Sequence, residues 1–151
     1  MIKVCFVCLG NICRSPMAEF MFKKKLSDLG LQEKFYVTSK ATSSEESGND
    51  IYPPAKRKLL MENIPITSHC ATRLEKEDYH KYNYFICMEK SNVRNALCIF
   101  QTDPENKVFC LYEITSTPKD IADPWYAGDF NQTWSDLDVG LNNLIDYLTK
   151  E

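Results

Sequence analysis

The most constraining feature of this 151-residue chain is an apolar run at residues 2–7 that leads through a short polar loop into a helical segment. The loop contains Gly10 and Asn11, two residue types that tolerate left-handed backbone angles. Ser15 and Pro16 follow as a typical helix start, since serine caps helices and proline favours their first turn. The pattern predicts a buried strand, a curled loop and a helix N-terminus facing that loop.

The same segment predicts an anion site with a nucleophile beside it. The unpaired N–H groups of a helix start and the successive amides of a curled loop both attract anions. Arg14 adds a planar guanidinium that matches two phosphate oxygens at once. Cys8 lies in this positive field, which favours the nucleophilic thiolate, and Ser15 can donate a hydrogen bond to its sulfur. A buried structural cysteine in an ordinary turn is the alternative interpretation, and it leaves the combined pattern unexplained.

Hydrophobic periodicity predicts strands and helices in alternation along the chain. Strands are expected at 2–7, 34–39, 84–88 and 107–112, with a short extended piece at 64–68. Helices are expected at 16–29, 54–62, 76–81, 92–100 and 131–150. The predicted fold is therefore α/β: a single domain over 1–151 with a doubly wound, four-stranded parallel sheet and helices on both faces. The anion-binding loop described above follows the first strand, and it therefore lies at the edge where such sheets bind ligands.

Composition narrows the functional class and the compartment. A net charge of -3 argues against a nucleic-acid partner. The absence of a long apolar run and of a signal-like start predicts a chain without a membrane partner. Seven cysteines, an odd number spread through strand-like segments, indicate reduced thiols and a cytoplasmic location. We expect a monomer.

The spacing of Cys5 and Cys8 also allows a redox or zinc interpretation, but geometry disfavours it. Along an extended strand the two residues are about 10 Å apart, which is beyond disulfide reach. No second ligand pair at zinc-site spacing accompanies them. We therefore predict Cys5 to be a small core residue, and we predict no metal and no cofactor.

Two separated motifs resemble one known family. The segment 7–19, which reads VCLGNICRSPMAE, resembles the phosphate loop of the low-molecular-weight protein tyrosine phosphatases. The segment 123–126, which reads DPWY, resembles the general-acid loop of the same family. Chain length and motif order also agree, so the resemblance covers essentially the whole chain.

The resemblance implies metal-independent hydrolysis of phosphotyrosine through a cysteinyl-phosphate intermediate. Cys8 is then the nucleophile, Arg14 binds the phosphoryl oxygens and Asp123 protonates the leaving tyrosinate. An Asp before Pro is also a common turn former, but the loop 116–131 is long for a compact domain, which favours function. The expected partner is a phosphotyrosine-containing protein or a small aryl phosphate. The remaining phosphate-loop residues are Leu9, Gly10, Asn11, Ile12, Cys13 and Ser15.

Further residues follow from the resemblance with supporting roles. Ser39 and His69 match positions that brace the phosphate loop in the family. Cys13 matches a cysteine that forms a reversible disulfide with the nucleophile, and a passive loop residue is the alternative. The chain reads Ser-Lys-Ala-Thr at 39–42 where many members read Ser-Ala-Gly-Thr. The local backbone and the substrate preference are therefore the features that we most expect to differ from the family. The expected walls of the substrate pocket are Ile12, Glu45, Trp125 and Tyr126.

Three other functions stay open at this stage. Arsenate reduction on the same fold would use further cysteines, for which Cys87, Cys98 and Cys110 are the candidates. Phosphoarginine hydrolysis occurs in relatives that carry threonine where this chain has Ile12, and an isoleucine suits a flat aromatic ring better. A phosphopeptide-binding module without catalysis is the third alternative, although the chain retains all three catalytic candidates.

Overall fold

The computed structural model describes residues 1–115, 119–121 and 130–150, and one parallel sheet lies at its centre. The spatial order of the strands is β2-β1-β3-β4, and every neighbouring pair is parallel. All carboxyl ends therefore meet at one edge of the sheet. The strands are β1 (Ile2–Cys8), β2 (Phe35–Ala41), β3 (Tyr84–Cys87) and β4 (Val108–Cys110).

Helices cover both faces of this sheet, which confirms the predicted doubly wound α/β fold. Side chains of α1, α2 and α4 pack on one face against Val4 and Phe6, and those of α3 pack on the other against Cys5 and Val7. Because both faces of β1 are buried from Val4 to Cys8, this part of the strand is a continuous apolar run rather than an alternating one. The helices of the described residues are α1 (Arg14–Asp28), α2 (Pro53–Met61), α3 (Lys90–Phe100) and α4 (Phe130–Thr149).

Some predicted boundaries were wrong, and each difference has a local cause. The predicted strand 107–112 stops at Cys110, because Leu111–Ile114 turns into a short 3-10 helix that buries Leu111 and Tyr112. The predicted helix 76–81 is a 3-10 helix at Lys76–His80. The segment 64–68 forms no strand.

Two helices also begin two residues earlier than predicted. The first starts at Arg14, two residues before Pro16, because the N–H of Met17 already donates to the carbonyl of Cys13. The helix predicted at 92–100 starts at Lys90, because Glu89 and Asn92 form a capping box there. No helix in the described part of the chain is long and apolar enough to cross a membrane.

Candidate active site

The loop between β1 and α1 is held open from outside by hydrogen bonds to its carbonyl groups. The N–H groups of Thr42 and Ser43 donate to the carbonyls of Cys8 and Leu9, both at 3.0 Å. The N–H of Tyr52 donates to the carbonyl of Ile12 at 2.8 Å. With these carbonyls bound on the convex side, the loop amides are left for the concave side, where an anion can sit.

A histidine and a left-handed residue complete the curve of the loop. His69 Nε2 lies 2.7 Å from the carbonyl oxygen of Asn11, and because a carbonyl only accepts, this nitrogen carries the proton. Asn11 adopts a φ of 58°, in the left-handed region that this residue type tolerates. Gly10 tolerates the same angles but does not adopt them.

The sulfur of Cys8 receives two hydrogen bonds at the mouth of this loop. The N–H of Asn11 donates to Sγ at 3.2 Å, and Ser15 Oγ lies 3.0 Å from Sγ. Asn11 Nδ2 donates to Ser15 Oγ at 2.9 Å, and because a thiolate only accepts, Ser15 donates its hydroxyl proton to the sulfur when Cys8 is ionised. Cys8 is 4% exposed. Two donors on one buried sulfur stabilise negative charge there, which is the requirement for a thiolate nucleophile.

A chain of buried polar groups fixes Asn11 in turn. Its second amide proton goes to Ser39 Oγ at 2.9 Å, and its Oδ1 accepts from the N–H of Thr72 at 3.1 Å. Ser39 donates onward to Glu19 Oε1 at 2.6 Å, and Glu19 pairs with Lys23. Because every donor has a matching acceptor, the orientation of the Asn11 amide is determined by its neighbours.

Arg14 is the first residue of α1, and its guanidinium is held from two sides. Nη2 donates to Glu89 Oε1 at 2.8 Å, and Nη1 donates to the carbonyl of Ile121 at 3.0 Å. Arg14 is 3% exposed, so both contacts are largely shielded from water. A planar, pre-oriented guanidinium at a helix N-terminus is suited to binding phosphoryl oxygens.

The residues expected as pocket walls differ in exposure: Ile12 is half-buried and Glu45 is exposed. Leu9 of the phosphate loop is half exposed. The neighbouring Glu46 lies closer to the loop, since a Cβ added at Gly10 would be 3.4 Å from its Cγ. The predicted acid and the two predicted aromatic walls, Asp123, Trp125 and Tyr126, lie outside the described residues.

The departure from the family pattern at 39–42 leaves a regular strand. Ala41 stands where the family glycine is expected, and it lies within β2 with its N–H donating to Thr72 and its carbonyl accepting from Leu74. Lys40 extends to Asp78, with Nζ 3.3 Å from a carboxylate oxygen. The substitution therefore adds an ion pair beside Ser39 without disturbing the extended backbone.

Sequence reasoning missed two carboxylates of the site. Glu89 lies two residues after the end of β3 and reaches Arg14. Glu19 lies one turn after Ser15 on α1 and reaches Ser39. Two features of the sequence could have identified Glu89. It is an acid at the carboxyl end of a predicted central strand, and the Glu89–Asn92 spacing is typical of a capping box. The resulting contacts depend on how α1 and α3 approach each other across the sheet, which the sequence does not show.

The other cysteines differ from Cys8 in environment. No disulfide joins any of the cysteines in the described part of the chain, and Cys13 is buried at the start of α1. Burial raises the pKa of the Cys5 and Cys87 thiols well above the usual range and that of Cys110 to about 12. Among the described residues, no group of three or more His, Cys, Asp or Glu side chains could hold a metal ion.

Fold and site together define a class: an α/β protein with an anion-binding loop after the first strand and a cysteine at its mouth. Comparison with known proteins identifies the family. Residues 3–151 match the family model of the low molecular weight phosphotyrosine protein phosphatase. The chain belongs to this family, and it is a phosphatase.

Individual relatives agree with this assignment. The chain is 34% identical over 152 residues to the low molecular weight protein-tyrosine-phosphatase PtpA of Staphylococcus aureus, covering 100% of this chain and 96% of that protein. The crystal structure of YfkJ from Bacillus subtilis superposes with a TM-score of 0.95 at 28% identity, covering 99% and 96% of the two chains. YwlE of Bacillus subtilis, an arginine phosphatase, superposes with a TM-score of 0.87 at 28% identity, covering 99% and 97%.

Proposed function

We propose that this protein hydrolyses phosphotyrosine in proteins or small aryl phosphates, in two steps that involve Cys8, Arg14 and Asp123. The observation that supports it best is the Cys8 sulfur with two donors on it, beside a helix N-terminus that begins with a buried arginine. The proposal extends to the whole chain, 1–151, acting as one catalytic domain.

In the first step the Cys8 thiolate attacks phosphorus and a P–S bond forms as the P–O bond to the phenol breaks. Arg14 and the loop amides bind the three equatorial oxygens, whose charge shifts in the transition state. The tyrosinate takes a proton from Asp123, because a phenol with a pKa of about 10 is a poor leaving group as the anion.

In the second step water attacks the phosphorus of the cysteinyl phosphate and gives its proton to Asp123. The P–S bond breaks, so the products are inorganic phosphate and the regenerated thiolate. Nucleophile, anion site and proton donor all come from the chain, so the scheme involves no metal ion.

The position of Asp123 in the sequence supports its role. Ile121 is buried, and its carbonyl accepts from Arg14 Nη1. Asp123 follows Ile121 by two residues in the sequence, which supports its choice as the general acid for a substrate bound by Arg14.

Phosphoarginine is the strongest competing substrate, because YwlE is an arginine phosphatase with the same fold. The half-buried Ile12 favours a flat aromatic ring over a charged guanidinium, since its side chain offers no hydrogen bond. Arsenate reduction is disfavoured by the buried thiols of Cys87 and Cys110, whose raised pKa values make them poor nucleophiles.

A turnover panel tests the proposal. Phosphotyrosine, phosphoserine and phosphoarginine peptides and arsenate are offered to the wild-type protein without added metal, with Cys8→Ser as control. We expect phosphotyrosine to give the highest kcat/KM. A preference for phosphoarginine would reassign the substrate, arsenate reduction would reassign the reaction, and phosphate binding without any turnover would indicate a binding module.

A further inference from the structure

A three-residue segment connects the arginine of the site to α4. We refer to Lys119, Asp120 and Ile121 as the 119–121 clip. Its last residue is buried against the core, with its N–H donating to the carbonyl of Met88 at 2.8 Å and its carbonyl accepting from Arg14. The position of this carbonyl therefore helps to determine where the guanidinium lies.

The first residue of the clip is held by an ion pair with α4. Lys119 Nζ lies 2.7 Å from Asp136 Oδ1, and Asp136 is only 4% exposed. Gln132 also donates to this carboxylate oxygen at 2.7 Å. The bond to Asp136 raises the pKa of Lys119, in agreement with a pair that stays charged. The middle residue, Asp120, accepts from the backbone N–H of Lys90 at 3.1 Å.

The helix that carries Asp136 is itself fixed in place. A Cβ at Gly140 would lie 2.7 Å from Leu111 Cδ2, so this glycine allows α4 to approach the turn after β4 closely. Asp136 is one turn earlier on the same face. Tyr112 donates from its hydroxyl to the carbonyl of Asp136 at 2.7 Å, and the Lys119 ammonium lies 5.3 Å from the centre of its ring. The carboxylate of the ion pair is thus held by the packing of α4, whereas the Lys119 side chain is 43% exposed.

We propose that Lys119 and Asp136 are positioning residues for Arg14. The ion pair fixes one end of the 119–121 clip, and the carbonyl of Ile121 at the other end orients the guanidinium that binds the phosphoryl group. The inference rests on the proposed function only in taking an oxyanion as the ligand of Arg14. No bond is made or broken by either residue.

The test is the affinity of the folded protein for inorganic phosphate, measured by calorimetry, together with kcat and KM for a phosphotyrosine peptide. Lys119→Met removes the charge but keeps most of the side-chain length, and we expect its Kd for phosphate to rise roughly fivefold to tenfold, within the range seen for coupled neighbours. Lys119→Arg should retain the affinity of the wild type. Asp136→Asn, which keeps an acceptor oxygen, provides a second variant should Lys119→Met fold poorly.

Lys25→Met is the matched control. Lys25 of α1 pairs at 2.6 Å with Asp138, which lies on α4 as Asp136 does. Neither Lys25 nor Asp138 belongs to the clip or its contacts. We expect Lys25→Met to leave the phosphate Kd unchanged. An equal loss in both variants would show a general effect on α4 and overturn the inference, as would an unchanged Kd in Lys119→Met and Asp136→Asn.

A double-mutant cycle identifies the route of the effect. If Lys119 acts through Arg14, then Lys119→Met should add little to the loss already caused by Arg14→Lys. Fully additive losses would contradict positioning through the arginine. Should the wild type bind phosphate but turn over no phosphotyrosine, the proposed function fails, and the binding data still decide this inference.

Discussion

The connections that follow β1 and β3 both start at a cysteine and lead into a helix, but they differ in length. Each of these neighbouring parallel strands ends in a cysteine, Cys8 or Cys87, and each leads into a helix. Five residues separate β1 from α1, whereas only two separate β3 from α3. The longer connection has room to curl around an anion, and the shorter one does not.

The N-termini of α1 and α3 differ in whether a side chain caps them. The side chain of Glu89 accepts from the N-terminal turn of α3, so that helix carries its own carboxylate at its positive end. No side chain caps α1 in the described part of the chain. The uncapped start of α1 leaves its first N–H groups available to an anion. Here the carboxylate that closes α3 also orients Arg14 at the start of α1.

The thiols of Cys8 and Cys87 also differ in the groups that surround them. Cys87 is fully buried among apolar side chains, which raises its pKa and keeps it protonated. Cys8 is nearly as buried, but an amide and a hydroxyl are directed at its sulfur. Hydrogen-bond donors rather than exposure therefore distinguish the proposed nucleophile from its neighbour.

The largest effect that this comparison predicts is that of Cys8→Ser. A serine hydroxyl is not ionised near neutral pH, so turnover should fall by roughly 10⁴–10⁶-fold, as when other covalent nucleophiles are removed. Phosphate binding should survive, because Arg14 and the loop amides remain. Calorimetry with phosphate and steady-state kinetics measure the two quantities. Appreciable turnover by this variant would remove Cys8 from the mechanism.

The next largest effect is expected for Asp123→Ala. Hydrolysis of aryl phosphates with basic leaving groups should slow roughly 10²–10⁴-fold, the usual cost of losing a general acid. Activated phenols should be affected much less, because they depart without a proton. The check is a plot of log kcat against leaving-group pKa, which should become steeper. A uniform loss across all leaving groups would mean that Asp123 only shapes its loop.

A third prediction concerns Glu89, the residue shared by the two connections. Glu89→Gln keeps an oxygen to cap α3 but removes the charge facing Arg14, so we expect kcat/KM to fall about tenfold with a small change in Tm. Glu89→Ala removes the cap as well and should lower the free energy of unfolding by a further 0.5–2 kcal/mol or so. Equal activity losses without any difference in stability would show that the capping box contributes nothing.

Sequence alone accounts for the loop better than for what surrounds it. Chain-local chemistry predicted the strand and the helix that follows the loop, because neighbouring residues determine them, but it placed the start of this helix two residues too late. The family resemblance singled out Ser39 and His69, which the structure brings to Asn11. Glu89 and the carbonyl of Ile121 were missed, because their contacts with Arg14 span 75 and 107 residues and follow from strand order. The strand 107–112 was overextended, since an apolar run does not show where an edge strand turns.

A smaller effect is predicted for Cys13→Ser, which tests a redox role beside the nucleophile. If Cys13 resolves an oxidised Cys8 as a disulfide, peroxide inactivation of the wild type should be reversed by added thiol, and the variant should recover less completely. Activity before oxidation should change little. The recovered fraction after dithiothreitol treatment is the measurement. Equal recovery in both proteins would leave Cys13 a passive loop residue.

The smallest effect is expected for Cys87→Ala, the counterpart of Cys8 on the adjacent strand. Its side chain is fully buried in the core cluster on the α3 side of the sheet, which also contains Cys5 and Cys110. Loss of one buried sulfur should cost about 1 kcal/mol of unfolding free energy, while kcat and KM stay within about twofold of the wild type. Chemical denaturation and steady-state kinetics measure both, with Cys110→Ala as the matched control on β4. A large loss of activity with Cys110→Ala unaffected would show that the end of β3 contributes to the chemistry, and the contrast between the two cysteines would no longer hold.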